Sequence, residues 1–527
     1  MADPLTPGIL VEEMPGRETP LDAFPVGVTA FLGAAPRGPL NQALVVESQD
    51  EFDRHFSVAG YEHPLQRCVQ DFFLAGGQRA AVVRVANGAR PCTIRLPGRE
   101  GALVLAALSP GRREYLRASV DYDHIAPSDD ATFNLVVQRL RTPGTERVAD
   151  QEIYRRVSLR PGSERYLVDV LLESRLVRAQ GELPRSRPDP TVSTAPGYPV
   201  TWVAAEDDGA DGTRVTDYDL VGSSVQGTGL FALDALPLVD FLCLTPGSEA
   251  RGPGPALLVA ALRYCRKRGA MLLLEPPPGT FDGERALEWL HALNIAGENA
   301  MAVFPQLAGE GRIAARSAVG AVAGALSRAP AEAEPALGGQ FRPTHELPPE
   351  LRRRLLAGGM NVISRGRGGR FHLEGDRTLA SPECPVQDWR SLSARRLALQ
   401  VERTLLQGTR WVVFEPPGID LAQRLRNHLS GWLESLRVAG RLAGGPGEAW
   451  FVDLNEVSAP HRPTRVEFTV GFAPRRPRQF VIYRVSQALH GARLVPVSPE
   501  RWAITRPAWE LATEAASNPR QADLEAG

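Results

Sequence analysis

Two apolar runs constrain this chain more than any other feature: Val239-Asp240-Phe241-Leu242-Cys243-Leu244 and Met271-Leu272-Leu273-Leu274. Runs that do not alternate belong to strands buried on both faces, and such strands occur in parallel sheets covered by helices. The stretch between them, about 255–268, reads as a helix with Gly269 as its stop. The spacing predicts a βαβ unit. Residues 282–293 read as another helix. The same texture opens the chain, where 26–34 and 80–85 read as buried strands and 44–46 as a short one. Ser48, with Glu51 three residues on, starts a helix over about 49–56. A second helix over about 64–75 puts Leu65, Cys68, Val69, Phe72 and Phe73 on one face, and Gly76-Gly77 ends it.

Elsewhere the texture changes. Residues 1–20 contain Pro4, Pro7, Pro15 and Pro20, which prevent a stable helix, around a strand-like run from Gly8 to Glu13. That reads as an arm. Residues 90–204 carry short alternating runs separated by polar turns, the pattern of a β-rich insert, and finish in a proline-rich linker at 184–199. Residues 346–490 read as a last domain. It has helices over 348–356, 391–406 and 420–437, and strands over 360–363, 370–373, 411–414, 466–472 and 480–485. A tail follows from 491 to 527.

Composition excludes several functions. With 60 basic and 61 acidic residues the net charge is −1, so no global charge draws the chain to nucleic acid or an acidic membrane. Lys267 is the only lysine among those basic residues. Arginine forms planar bidentate pairs with carboxylates and suits ion pairs between subunits. No run approaches the length of a membrane span. Asp3, Glu12 and Glu13 occupy the N-terminus, where a secretory signal would need a basic region followed by an apolar run. The five cysteines, Cys68, Cys92, Cys243, Cys265 and Cys384, are far apart and form no C-x-x-C pair, which fits a reducing cytoplasm.

Motifs for chemistry are not apparent. The chain has no phosphate loop, and Arg365-Gly366-Arg367-Gly368-Gly369-Arg370 lacks the glycine spacing of one and reads as a turn. His345-Glu346 runs into Pro348-Pro349, which break the helix a zinc site of that kind needs. Ser317-Ala318-Val319-Gly320 and Gly222-Ser223-Ser224 read as small-residue turns, not as a nucleophile elbow. No catalytic residue, metal site or cofactor is expected.

Several segments resemble contractile tail sheath proteins of phages and of phage-like injection systems. Pro7-Gly8-Ile9-Leu10-Val11-Glu12-Glu13 is similar to that family's opening. So are 28–39 and the stretch Phe72-Phe73-Leu74-Ala75-Gly76-Gly77 through Val85. Gly359-Met360-Asn361-Val362-Ile363, Gly375-Asp376-Arg377-Thr378-Leu379 and Gln407–Pro416 resemble its C-terminal motifs, and Gln479–Val485 its closing strands. One family segment is replaced here by Leu326-Ser327-Arg328-Ala329-Pro330 and an Ala/Glu/Pro run.

The resemblance implies an α/β and α+β multidomain protein. It would have a subtilisin-like-shaped α/β core (21–89 with 205–345), the β-rich insert outermost (90–204) and a C-terminal sheath domain innermost (346–490). It implies a structural subunit, not an enzyme, that polymerises around an inner tube and contracts to drive the tube through an envelope. Partners would be further copies of itself, six to a ring, with the inner tube protein and baseplate and terminal cap proteins. Neither nucleic acid nor membrane insertion is implied. Such a subunit would be made in the bacterial cytoplasm, and the particle would be virion-like, released or retained. The alternatives are a non-contractile scaffold or baseplate-associated paralogue, or a hydrolase using the α/β core. Donor strands between subunits would be Gly8, Ile9, Leu10, Val11, Glu12 and Glu13 at one end. At the other they would be Phe480, Val481, Ile482 and Tyr483 (the strand 480–485) or the run 493–497. Arg395, Arg396 and Arg403 on one amphipathic helix, and Arg424 and Asn427 on the next, are candidates for contact with the tube.

Overall fold

The computed structural model describes residues 27–497, apart from 59, 143–145, 192–200, 246–251, 310–314, 331–333, 367, 416–418 and 455–464. Its chain divides into two compact units, one over Val26–Ser381 and one that takes up the chain from Pro382.

The first unit is built on one sheet of eight strands. These are β1 (Val28–Gly33), β2 (Ala43–Val46), β3 (Ala80–Arg84), β4 (Val239–Thr245), β5 (Met271–Leu274), β6 (Ala300–Phe304), β7 (Met360–Arg365) and β8 (Phe371–Glu374). Their order is β8-β7-β6-β5-β4-β1-β3-β2. From β7 to β3 every pair is parallel, and the two outer strands run antiparallel. β1 and β3 are buried at every position, as strands covered on both faces must be.

Helices cover both faces. They are α1 (Gln49–Phe56), α2 (Pro64–Leu74), α3 (Pro255–Arg268), α4 (Gly283–Leu293), α5 (Val319–Arg328) and α6 (Pro349–Ala357). Ala30, Leu32, Leu242 and Leu272 pack with Leu258, Ala261 and Leu262 of α3 and with Leu290 of α4. Alternation along β1 turns Phe31 the other way, where its ring meets Phe72 of α2 edge-on at 5.3 Å between centroids. α5 lies against α2 there.

Local signals account for several helix ends. The Ser48 hydroxyl accepts from the Glu51 N–H at 3.2 Å. The Glu51 carboxylate reaches back one residue further than a capping box does, to the Glu47 N–H at 2.8 Å. Gly269 closes α3 in the left-handed region at φ 65°. α5 corrects the sequence reading, which took Ser317–Gly320 as a turn. Val319 to Leu326 are all buried in a helix. Its glycines are there for close approach, since Gly320 and Gly324 face the backbone of α2.

A second correction concerns the boundary expected at 345/346. β7 and β8 belong to the eight-stranded sheet, because β7 pairs in parallel with β6. The units divide at 381/382.

Between β3 and β4 the chain forms two small antiparallel sheets. One joins Thr93–Leu96, Leu103–Ala107 and Val177–Gln180, and the other Leu116–Asp121, Thr132–Leu140, Val148–Ser158 and Val203–Ala204. They enclose their own core of residues such as Ile94, Leu105, Val120, Phe133, Leu135 and Leu167. Arg84, at the end of β3, ties this region to the α/β sheet. Its guanidinium donates to the carbonyls of Ala35, Gly38 and Pro110 at 2.6–2.8 Å.

In the second unit, α7 (Leu392–Gly408) and α8 (Ile419–Val438) accompany a sheet of β9 (Trp450–Asp453), β10 (Arg465–Phe472), β11 (Val481–Ala488) and β12 (Gly491–Val497) in that order. α8 buries Leu421, Leu425, Leu429, Trp432 and Leu436, the face the periodicity marks. The strand expected over 411–414 is instead part of a 3-10 turn, Arg410–Phe414. That turn lies against β10 and β11 and does not pair with either, since each of those strands already has two neighbours.

Candidate assembly surfaces and a buried cleft

The expected donor segment Gly8–Glu13 lies outside the described residues. The other expected donor, Phe480–Tyr483, needs correction. Ile482 pairs with Gly471 on one side and Val497 on the other, and Tyr483 pairs with Val470 and Pro496. Val481, Ile482 and Tyr483 are buried. A strand inside a sheet has both rows of backbone groups committed and cannot pair with a neighbour as it stands. The alternative run, 493–497, falls in β12, an edge strand among the described residues. β12 is largely exposed, and its Pro496 is a residue that sheets confine to edges.

The candidate tube-contact residues fall into unlike environments. Arg395 is buried, which corrects its expected exposure. It pairs with Glu402 at 2.7 Å and stacks over the Trp389 ring at 4.6 Å. The Tyr483 hydroxyl donates to the same Glu402 at 2.6 Å, and burial pushes that phenol well up. The residues at 395, 402 and 483 therefore form an internal tie between α7 and β11. Helical spacing alone gave Arg395 a polar face, but β11 covers that face. Burial lowers Arg403 to about 10. Arg396 is half-buried. Arg424 is partly exposed, ion-paired with Glu415 at 2.8 Å and 5.8 Å above the Trp411 ring. Asn427 is exposed. Arg403 is half-buried like Arg396, so of the five all but Arg395 retain surface on which a partner could rest.

The first unit contains a cleft of about 410 Å³ that no motif signalled. It lies beyond the carboxyl ends of β4 and β5, at Leu244, Thr245, Leu274 and Glu275. β4 and β1 are neighbours whose connections run to opposite sides of the sheet, and ligands of open α/β sheets bind at such reversals. Cys68 and Asp71 of α2 line one wall, and Arg316 and Ser317 precede α5 on another. Pro276, Pro278, Phe281 and Trp289 form an apolar side.

Asp71 and Arg316 neutralise each other at 2.9 Å. Glu275 accepts from the Ala318 N–H at 2.8 Å at the start of α5. Burial nonetheless raises its pKa, while the hydrogen bonds from Ser317 and Ala318 oppose that rise. Burial also holds the Cys68 thiol well above its ordinary value. Gln306 spans the floor, donating to the Pro276 carbonyl and accepting from the Gly279 N–H, both at 3.2 Å. Among the described residues no histidine lines the cleft, and no cluster of three or more His, Cys, Asp or Glu could hold a metal ion. No helix among them is long and apolar enough to cross a membrane.

No family model and no curated protein matches the chain. Solved structures do. The sheath tail protein of Desulfitobacterium hafniense aligns over 92% of this chain and 100% of its own, with a TM-score of 0.55 at 13% identity. The sheath tail protein Lin1278 of Listeria innocua aligns over 90% and 96%, with a TM-score of 0.59 at 14% identity. The PVC sheath of an extracellular contractile injection system, in its contracted state, aligns over 91% and 97%, with a TM-score of 0.53 at 15% identity. The chain has the mixed α/β, multi-sheet fold of tail sheath proteins.

Proposed function

We propose that the chain is a structural subunit of a contractile sheath. It polymerises around an inner tube and contracts from a metastable extended state, with no reaction catalysed and no cofactor held. The observation that carries this reading is the extent of the fold likeness. More than nine-tenths of two sheath tail proteins and of an injection-system sheath is matched, and the match spans both units of this chain. A shared α/β core alone would carry little, because such cores serve many functions.

In this reading the α/β core is the subtilisin-like-shaped body, and the β-rich region after β3 faces outward. The unit from Pro382 lies innermost, with Arg396, Arg403, Arg424 and Asn427 towards the tube. Subunits are linked by strand addition at sheet edges, where main-chain hydrogen bonds tolerate rotation of the bodies. The exposed edge of β12 supports this, with Gly8–Glu13 of another copy as the added strand. Head-to-tail contacts of that kind generate an open helical assembly of rings, six copies to each. The inner tube, baseplate and terminal cap proteins are the expected partners, in a particle assembled in the cytoplasm and there retained or released.

Electron microscopy of the protein alone, and of the protein co-expressed with its inner-tube neighbour, tests the proposal. Hollow striated tubes, or tubes enclosing a thinner one, are expected. Monodisperse monomers in both samples would overturn it in favour of a scaffold or baseplate role.

A further inference from the structure

We propose that the cleft beyond β4 and β5 is a binding site for a small organic cation, an amine, amidine or guanidine on an apolar body, with Glu275 as its counter-ion. The inference stands on the cleft alone and does not depend on the sheath reading.

Three observations converge on it. The first is size and place. A cavity of about 410 Å³ at a reversal of strand order falls in the range and position of small-molecule sites in α/β proteins. The second is charge. Among the described residues, four charged side chains line the cleft: Arg67, Asp71, Glu275 and Arg316. Arg316 pairs with Asp71 at 2.9 Å and Arg67 with Glu62 at 3.5 Å. Glu275 has hydrogen bonds from Ser317 and Ala318 but no ion pair with any described basic residue. A carboxylate drawn even partly out of water is costly unless paired, and a cation entering the cleft supplies a partner that the described residues do not. The third is the opposite wall. Phe281, Trp289, Pro276 and Pro278 offer apolar and aromatic surface to the rest of the ligand, and aromatic faces favour cations as well.

A helix-capping role for Glu275 does not replace this reading. A hydrogen bond to the Ala318 N–H needs only an acceptor oxygen, which an amide or hydroxyl side chain would supply without burying a charge beside a cavity.

Benzamidine and its neutral isostere benzamide serve as probes, titrated calorimetrically into the full-length protein at pH 7.5. Benzamidine should bind at least tenfold more tightly than benzamide. Glu275→Gln should abolish that preference. Phe281→Ala, at a side chain 46% exposed, leaves the cap of α5 intact and should weaken benzamidine at least threefold. If Glu275→Gln does not fold, the benzamidine preference of the wild type and its loss of affinity on Phe281→Ala still decide the matter. No benzamidine binding to the wild type, equal affinity for the two probes, or unchanged binding to Phe281→Ala would overturn the proposal.

Discussion

Gly324 sits where α5 crosses α2. A Cβ built there would lie 2.3 Å from the Phe72 carbonyl oxygen and 2.8 Å from the Ala75 methyl. Neither helix backbone can yield without opening the other, so Gly324→Ala should destabilise the first unit by about 1–3 kcal/mol. Gly339→Ala, where nothing lies within 4 Å, is the control and should change stability by less than ~0.5 kcal/mol. Urea unfolding of the two variants checks this. His63 makes a second residue-scale case. It caps α2, its Nδ1 accepting from the Gln66 N–H at 3.3 Å, and burial holds its pKa down at about 4. A protonated ring would turn that acceptor into a donor. The folded pKa is depressed, so the neutral form stabilises the fold above the unfolded value near 6.5. That stability is lost as pH falls from about 6.5 to about 4. At ~1.4 kcal/mol per unit the loss is on the order of 3 kcal/mol. His63→Asn keeps a capping acceptor and should remove most of this acid sensitivity. Unfolding midpoints at pH 7 and pH 4.5 would show it, and equal acid losses in both proteins would refute it.

Edges and faces matter most at the scale of elements. Among the described residues β12 is an exposed edge of its sheet, and an edge with unpaired backbone groups accepts another strand. Deleting residues 1–15 should therefore leave a folded, soluble subunit that no longer forms tubes. Circular dichroism would report the fold, and negative-stain microscopy the loss of assembly. Undiminished polymerisation would remove the donor-strand reading. α7 and α8 differ in what they leave to a partner. α8 exposes Asn427 and part of Arg424. α7 commits Arg395 to Glu402 within its own unit. The double variant Arg396→Glu with Arg424→Glu should lose assembly on an inner tube while keeping its thermal stability within a few degrees. Arg395→Ala should instead destabilise the second unit by about 3–5 kcal/mol, because it strands a carboxylate beside the Tyr483 hydroxyl.

Taken whole, the molecule is two compact units joined in one chain of 527 residues. Units with separate cores need not unfold together, and two-state behaviour is the exception for chains of this size. Scanning calorimetry should give a calorimetric enthalpy larger than the van't Hoff value. His63→Asn and Gly324→Ala should move only the transition that belongs to Val26–Ser381. A single cooperative transition shifted by both would contradict this.

By itself the sequence determined the elements whose signal is local. Unbroken apolar runs marked β1, β4 and β5, because a strand covered on both faces has no polar side to show. The period of Leu421, Leu425, Leu429, Trp432 and Leu436 marked α8, and Ser48, Gly76 and Gly269 marked helix ends through their own backbone geometry. The resemblance of its motifs to sheath proteins pointed to the fold found here. Three-dimensional packing decided the rest. α5 is a helix because Gly320 and Gly324 let it touch α2, whereas the local sequence at Ser317–Gly320 reads as a turn. Residues 411–414 form a 3-10 turn beside β10 and β11, the two strands of the sheet whose flanks are already taken. Arg395 is internal and β11 is no free donor because β10 and β12 occupy its flanks. The cleft around Glu275 draws its lining from α2, β4, β5 and the start of α5, residues far apart in sequence. Periodicity and spacing report the neighbours of a residue along the chain, whereas burial, pairing and the charge of a cavity depend on neighbours that only the folded chain brings together.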